Sequence, residues 1–256
     1  MSGFQLDKAY FDLVDNRGRV FIGYDAKLRW NNLKLGYKGW IIYKDSQGVL
    51  EKGEFLFKED LVTLGGNEIF YQFGEVNGSW VRDGESFEET LLDNTQGKIA
   101  WNCFQPRSDV ILNYNSDLLL GKGYLEKISL TIPPWKLPIQ ELYWGRFHSA
   151  QNTLIWIRWV GSAPGVWIYL NSKRVAGIAD EEKVSFGNYT LDLNTTIVLR
   201  NDSIGNTLFR GFQNLMKLFP ARILNLKETK WAGFGVLKSG NQVETGTVIH
   251  EKVVWP

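Results

Sequence analysis

The chain has 256 residues, 44% hydrophobic and 22% charged, with a formal net charge of +1. These are globular values that exclude disorder, and the balanced, dispersed charge excludes an electrostatic footprint for nucleic acid. The single cysteine, Cys103, excludes an internal disulfide and any CxxC metal motif, and two histidines, His148 and His250, are too few for a typical catalytic zinc site.

Strand and turn signals begin at once and continue to the far end. Segments 9–14 and 19–30 flank Asp15-Asn16-Arg17-Gly18, a turn with residues that tolerate positive φ. Segments 35–43 and 49–57 flank a second turn, 44–48. Further strands are expected at 68–73, 86–92, 97–104 and 109–113, then at 121–132, 143–149, 153–159 and 166–170. The series closes with 183–186, 189–193, 196–200, 230–238 and 244–255. One segment reads as a helix: 206–219 spaces Leu208, Phe212, Leu215, Met216 and Phe219 at three to four residues and stops at Pro220.

This pattern predicts an all-β protein, its antiparallel sheets closed or stacked to remove their edges. Prolines 133, 134 and 138 interrupt it near the middle, which favours two consecutive barrels or half-barrels, 1–132 and 133–256, with exchange of strands left open. The N-terminus lacks the basic segment and apolar run of a secretory signal. No apolar stretch reaches spanning length, because the best, 153–160, contains Arg158. A cytoplasmic protein without a transmembrane segment is the expectation.

The stretch 121–160 carries the chemistry. Side chains alternate along a strand, so Trp144, Arg146 and His148 share one face, opposite Tyr143, Gly145 and Phe147. Tyr124 and Glu126 share a face in the preceding strand, and Trp156 and Arg158 share one in the following strand. Were the three strands neighbours with these faces coincident, Glu126 would be a carboxyl group among aromatics. Desolvation would then raise its pKa and make it a proton donor near neutral pH, with Tyr124 and His148 assisting and Trp144 stabilising developing cationic charge. The alternative is a structural ion pair of Glu126 with Arg146 or Arg158.

Nearer the C-terminus, Glu251 alternates with Ile249, Val253 and Trp255, and is the better second polar candidate than His250; an arginine-satisfied structural carboxylate is its alternative. Cys103 reads as a buried, inert thiol. Gly121-Lys-Gly123 opens no helix and is no dinucleotide signature, and Gly161-Ser-Ala-Pro-Gly165 lacks the spacing of a nucleophile elbow.

Trp101-Asn-Cys-Phe-Gln-Pro106, Gly121-Lys-Gly-Tyr-Leu-Glu126 and Pro134-Trp-Lys-Leu-Pro138, leading into Leu142-Tyr-Trp-Gly-Arg146, resemble the carotenoid 1,2-hydratase (hydroxyneurosporene synthase) and AttH-like proteins. Trp231-Ala-Gly-Phe-Gly235 and Ile249-His-Glu-Lys-Val253 fit the last hairpin of that superfamily. The resemblance implies two consecutive lipocalin-like barrels, and relatives that include tocopherol cyclase and lipocalin-like Diels–Alderases. It is densest over 100–160 and at the C-terminus.

In carotenoid hydratases a Tyr-x-Asp carboxyl group is implicated in protonating an isolated double bond, and Tyr124-Leu-Glu126 resembles that element with Glu for Asp. Those hydratases also carry a histidine two residues before a tryptophan. If that tryptophan is Trp101, Ile99 stands in the histidine's place, which weakens hydration and leaves cyclase, isomerase or pericyclic chemistry open.

The resemblance therefore implies a cofactor-free, metal-free lipocalin-like enzyme for a bulky apolar molecule of isoprenoid, polyene or polyketide-derived type. Cyclisation or hydration would proceed by proton donation from Glu126 or by conformational templating. Glu126, Tyr124 and His148 are the expected catalytic residues, and Trp101, Trp144, Arg146, Trp156, Arg158 and Glu251 the substrate-binding ones. The rivals are a carrier with the same barrel and a structural protein whose pocket its own aromatics fill. A homodimer is left open.

Overall fold

The protein is described by a computed structural model covering residues 3–56, 62–210 and 212–256. Phe57, the expected end of the fourth strand, and Gly211 within the expected helix lie outside the described residues. The chain divides into two compact units, Met1–Pro133 and Pro134–Pro256, each built on one nine-stranded antiparallel sheet.

The first unit contains β1 (Phe4–Asp15), β2 (Val20–Trp30), β3 (Leu33–Lys44), β4 (Gly48–Leu56), β5 (Glu68–Phe73), β6 (Val76–Arg82), β7 (Phe87–Asn94), β8 (Gly97–Tyr114) and β9 (Asp117–Leu130). Their order is β4-β3-β2-β1-β9-β8-β6-β5, with β7 paired to β8. The first hairpin shows why the sequence turns where it does. Asp15 accepts the backbone N–H groups of Arg17 and Arg19, and Gly18 supplies the required positive φ of 77°. The sheet curls until its ends approach: Lys52 of β4 meets Glu75 beyond β5 at 2.7 Å, and the Tyr71 hydroxyl of β5 donates to the Gly39 carbonyl of β3 at 2.8 Å. Curling buries the concave face around Phe11, Phe21, Trp40, Tyr71 and Trp80.

The second unit contains β10 (Glu141–His148), β11 (Thr153–Val160), β12 (Gly165–Leu170), β13 (Lys173–Val175), β14 (Gly177–Ala179), β15 (Lys183–Phe186), β16 (Tyr189–Ser203), β17 (Lys227–Ser239) and β18 (Gln242–Val254). Their order is β13-β12-β11-β10-β18-β17-β16-β15-β14. As in the first unit, the first strand sits between the second and the last. Phe147, Trp156, Ile168, Phe186, Leu191 and Val248 form its core.

The all-β class with a helical segment late in the chain is what the residues predict. The segment itself is three four-residue turns rather than a rod: α1 (Ile204–Thr207), α2 (Gln213–Met216) and α3 (Ala221–Leu224). Its apolar spacing serves a fold-back, with Phe209 and Phe219 rings 5.0 Å apart and Gly205 held under the Leu224 carbonyl. Strand β6 was not expected, because Asn77-Gly78-Ser79 carries turn composition. Segments 97–104 and 109–113 are one strand, β8, as are 189–193 and 196–200 in β16. Each pair is joined across bulges. Among the described residues no helix is long and apolar enough to cross a membrane.

Candidate functional site

Glu126 lies on the convex face of the first sheet, opposite the aromatic core. Register places it beside Cys103 of β8 and Tyr10 of β1, with Asp12 beside Tyr124 one row on. The Trp101–Pro106 motif coincides with two register shifts in β8, between Cys103 and Gln105 and between Gln105 and Ser108. Pro106 has no N–H to give a ladder, and the Gln105 side chain compensates by bonding the Trp80 carbonyl and the Ser108 hydroxyl.

Two donors converge on one oxygen of Glu126. The Trp101 indole N–H reaches Oε2 at 2.5 Å and the Tyr124 hydroxyl reaches it at 2.7 Å, in surroundings that leave the residue 7% exposed. Phe87 packs edge-on against Trp101 at 5.1 Å and fixes the indole plane. Burial, then Cys103 and Glu126 beside it, pushes the Tyr124 phenol well above its ordinary range, so it stays an O–H donor. Burial likewise pushes the Cys103 thiol up, which leaves it a poor nucleophile. Trp101 and Tyr124 together fix the position of Oε2 and with it the plane of the carboxyl group.

The other expected residues belong to the second unit. Strand β9 pairs with β1 and β8, whereas β10 pairs with β11 and β18. The expected trio of neighbouring strands therefore does not exist. Trp144, Arg146 and His148 do share a face, as strand parity predicts. Trp156 and Arg158 do not join them, because Trp156 stands opposite Gly145 and Arg158 opposite Tyr143. Trp156 belongs to the concave core, lying so close over Gly145 that a Cβ there would fall 2.2 Å from its ring. Arg158 donates to the Ala179 carbonyl at 2.9 Å and covers the Tyr143 ring at 5.3 Å. Arg146 donates to the Thr247 hydroxyl at 3.1 Å, and His148 lies in register with Thr153 and Thr247.

Glu251 of β18 stands in register with Trp144 of β10 and is held by Lys230. Lys230 also meets Glu228 at 3.3 Å, and Glu228 meets Arg200 at 2.8 Å. The expected structural carboxylate is thus satisfied by a buried lysine within an ionic network. Sequence reasoning missed Lys230, Glu228 and Arg200. For Glu228 and Lys230 the available signal was their alternation with Thr229 and Trp231 in β17.

His250 was set below Glu251 yet is buried, stacked on Trp231 with ring centroids 4.8 Å apart and bonded to the Thr195 hydroxyl at 2.8 Å. Burial first, and the Lys230 charge second, hold its pKa down at about 4. The unfolded chain accepts a proton near 6.5 that the folded chain refuses. Stability from neutral His250 is therefore complete above about pH 6.5 and lost as pH falls toward 4, by on the order of 3 kcal/mol. Urea midpoints measured from pH 7 to 4 should fall more steeply for the natural chain than for His250→Gln.

No known protein-family pattern and no curated protein matches this sequence. Solved structures do match its fold. CghA, solved with Sch210972, superposes over 99% of this chain and 89% of its own, with TM-score 0.61 and 9% identity. An AttH-like protein of Nitrosomonas europaea covers 98% and 92%, with TM-score 0.60 and 8% identity. The chain has the AttH-like, lipocalin-type fold. Kievitone hydratase from Nectria haematococca shares it, with TM-score 0.55 and 8% identity over 99% of this chain and 89% of its own. At such identities the AttH-like likeness extends to the fold, and the site rests on its own geometry.

Proposed function

We propose that this protein is a lipocalin-like enzyme that binds a bulky apolar molecule of isoprenoid, polyene or polyketide-derived type and cyclises or hydrates it, with Glu126 as the proton donor. One observation carries the reading: a buried carboxyl group whose Oε2 is fixed by Trp101 and Tyr124. Such fixing presents Oε1 in a constant direction, which is what positioned acid catalysis needs. A substrate double bond takes the Glu126 carboxyl proton with its π pair, forming a C–H bond and leaving a cation on the adjacent carbon. Water then captures the cation and releases a proton, giving hydration. Alternatively a second double bond captures it, and proton loss back to the carboxylate completes cyclisation.

Trp101 has a further role as an aromatic wall against that cation. The hydratase among the proteins of this fold supports the reaction class. In the second unit, Trp144, Arg146, His148 and Glu251 share one face of the sheet and Trp156 and Arg158 the other.

The test is a panel of polyenes and prenylated phenols, scored by mass spectrometry for gain of one water or for an isomeric product. Glu126→Gln should bind ligand as the natural chain does and lose about 10²–10⁴-fold in turnover. Tyr124→Phe, which removes one Oε2 donor, should lose less and shift the pH profile. Undiminished turnover in Glu126→Gln would leave catalysis to conformational templating, and ligand binding without any product would make the protein a carrier.

A further inference from the structure

On the convex face of the first unit, four strands run side by side in the order β9-β8-β6-β5, and their outward side chains form cross-strand rows. One row reads Leu120, Ile111, Ser79, Phe70, each opposite the next in register. Leu118 extends it one row along β9. These positions have the opposite parity to Leu119, Val110, Trp80 and Tyr71, which fill the concave core, so they point outward. Phe70 is 66% exposed, Ile111 52%, Leu118 50% and Leu120 46%.

The flanking rows carry what an outward face ordinarily carries. On one side stand Glu68, Asp109 and Lys122, with Lys122 bridging Asp83 and Asp109 at 2.8 Å each and Arg107 joining Asp83 at 3.2 Å. On the other side stand the amides Gln72, Asn77 and Asn113. An outward row with three large apolar side chains, broken only by Ser79, between rows that are mostly polar is the part that needs a partner.

We propose that this row is the centre of a two-fold interface with a second copy of the same chain. The exposed parts of its four large side chains make a patch of roughly 400 Å², in the range of functional surface patches. A standard interface needs about 800 Å² from each partner, so the row supplies about half and its polar flanks the remainder. The flanks are self-complementary. A two-fold axis along the apolar row lays the charged flank of one copy over the amide flank of the other. Amides donate and accept, so they satisfy both signs and no like charges meet. The two lysine and arginine cations are already matched by Asp83 and Asp109, which leaves no cationic stripe for an anionic membrane or nucleic acid.

Sedimentation equilibrium from 1 to 100 µM tests the proposal on the full chain. The natural protein should be dimeric at the upper end. Ile111→Lys and Leu120→Glu, made separately, should each raise the dissociation constant at least a hundredfold without changing the thermal midpoint. Ser79→Cys provides a second readout, because the natural Cys103 is buried: mild oxidation should give a covalent dimer. A monomer at 100 µM, a dimer that survives both charge substitutions, or a natural chain that floats with neutral phosphatidylcholine vesicles while remaining monomeric would each overturn it.

Discussion

Lys230→Met should cost about 3–5 kcal/mol of stability, read as a fall in the urea midpoint with an unchanged slope. The lysine side chain is fully buried and is bracketed by Glu251 and Glu228. Methionine fills nearly the same volume, so packing is not what the substitution removes. It removes the cation and leaves Glu251 without the charge that holds it, while Glu228 keeps Arg200. The desolvation already imposed on Glu251 is then uncompensated. Adding Glu251→Leu should restore most of the loss, because removing both members of a buried pair is far cheaper than removing one. A double variant as unstable as Lys230→Met alone would show that Lys230 acts through its shape.

Trp80→Ala should be comparably costly, about 3–5 kcal/mol. Trp80 has no exposed surface and packs on Phe11, Phe21 and Tyr71, with ring centroids 5.3, 5.9 and 6.4 Å away. Its indole N–H also donates to the Asp12 carbonyl at 2.9 Å, and Asp12 is the register partner of Tyr124. The cavity thus opens on one face of β1 while the Glu126 cluster occupies the other. Trp80→Phe keeps most of the volume but drops the hydrogen bond, and should cost less than half as much. Thermal unfolding of both variants, beside the turnover of Trp80→Phe, separates core packing from support of the site.

The contrast between these two residues marks how far the sequence could be read. The AttH-like resemblance and the strand pattern led to the correct fold class, yet β6, which carries Trp80, was hidden. Asn77-Gly78-Ser79 has turn composition, and a Cβ at Gly78 would fall 3.0 Å from the Ile111 carbonyl and 3.1 Å from the Trp80 ring. Parity within single strands was legible: Tyr124 with Glu126, and Trp144 with Arg146 and His148. Register between strands was not, since one residue of slip exchanges the two faces. That is why Trp156 and Arg158 were assigned to the face of Trp144 when β11 presents them on the other. It also hid Lys230, whose buried position depends on its pairing with Glu251 rather than on its neighbours in the chain.

The placement of β18 between β10 and β17 has a consequence for biosynthesis. A ribosome that has delivered everything up to Ser239 has made eight of the nine strands of the second sheet, but as two sets with a gap where β18 belongs. Both β10 and β17 then offer bare ladder edges to neighbouring nascent chains. The first sheet closes earlier, when β9 arrives to join β1 and β8. Holding the second sheet safe until its final strand emerges is a task for chaperones, and strain on translation should appear first as aggregation of that half.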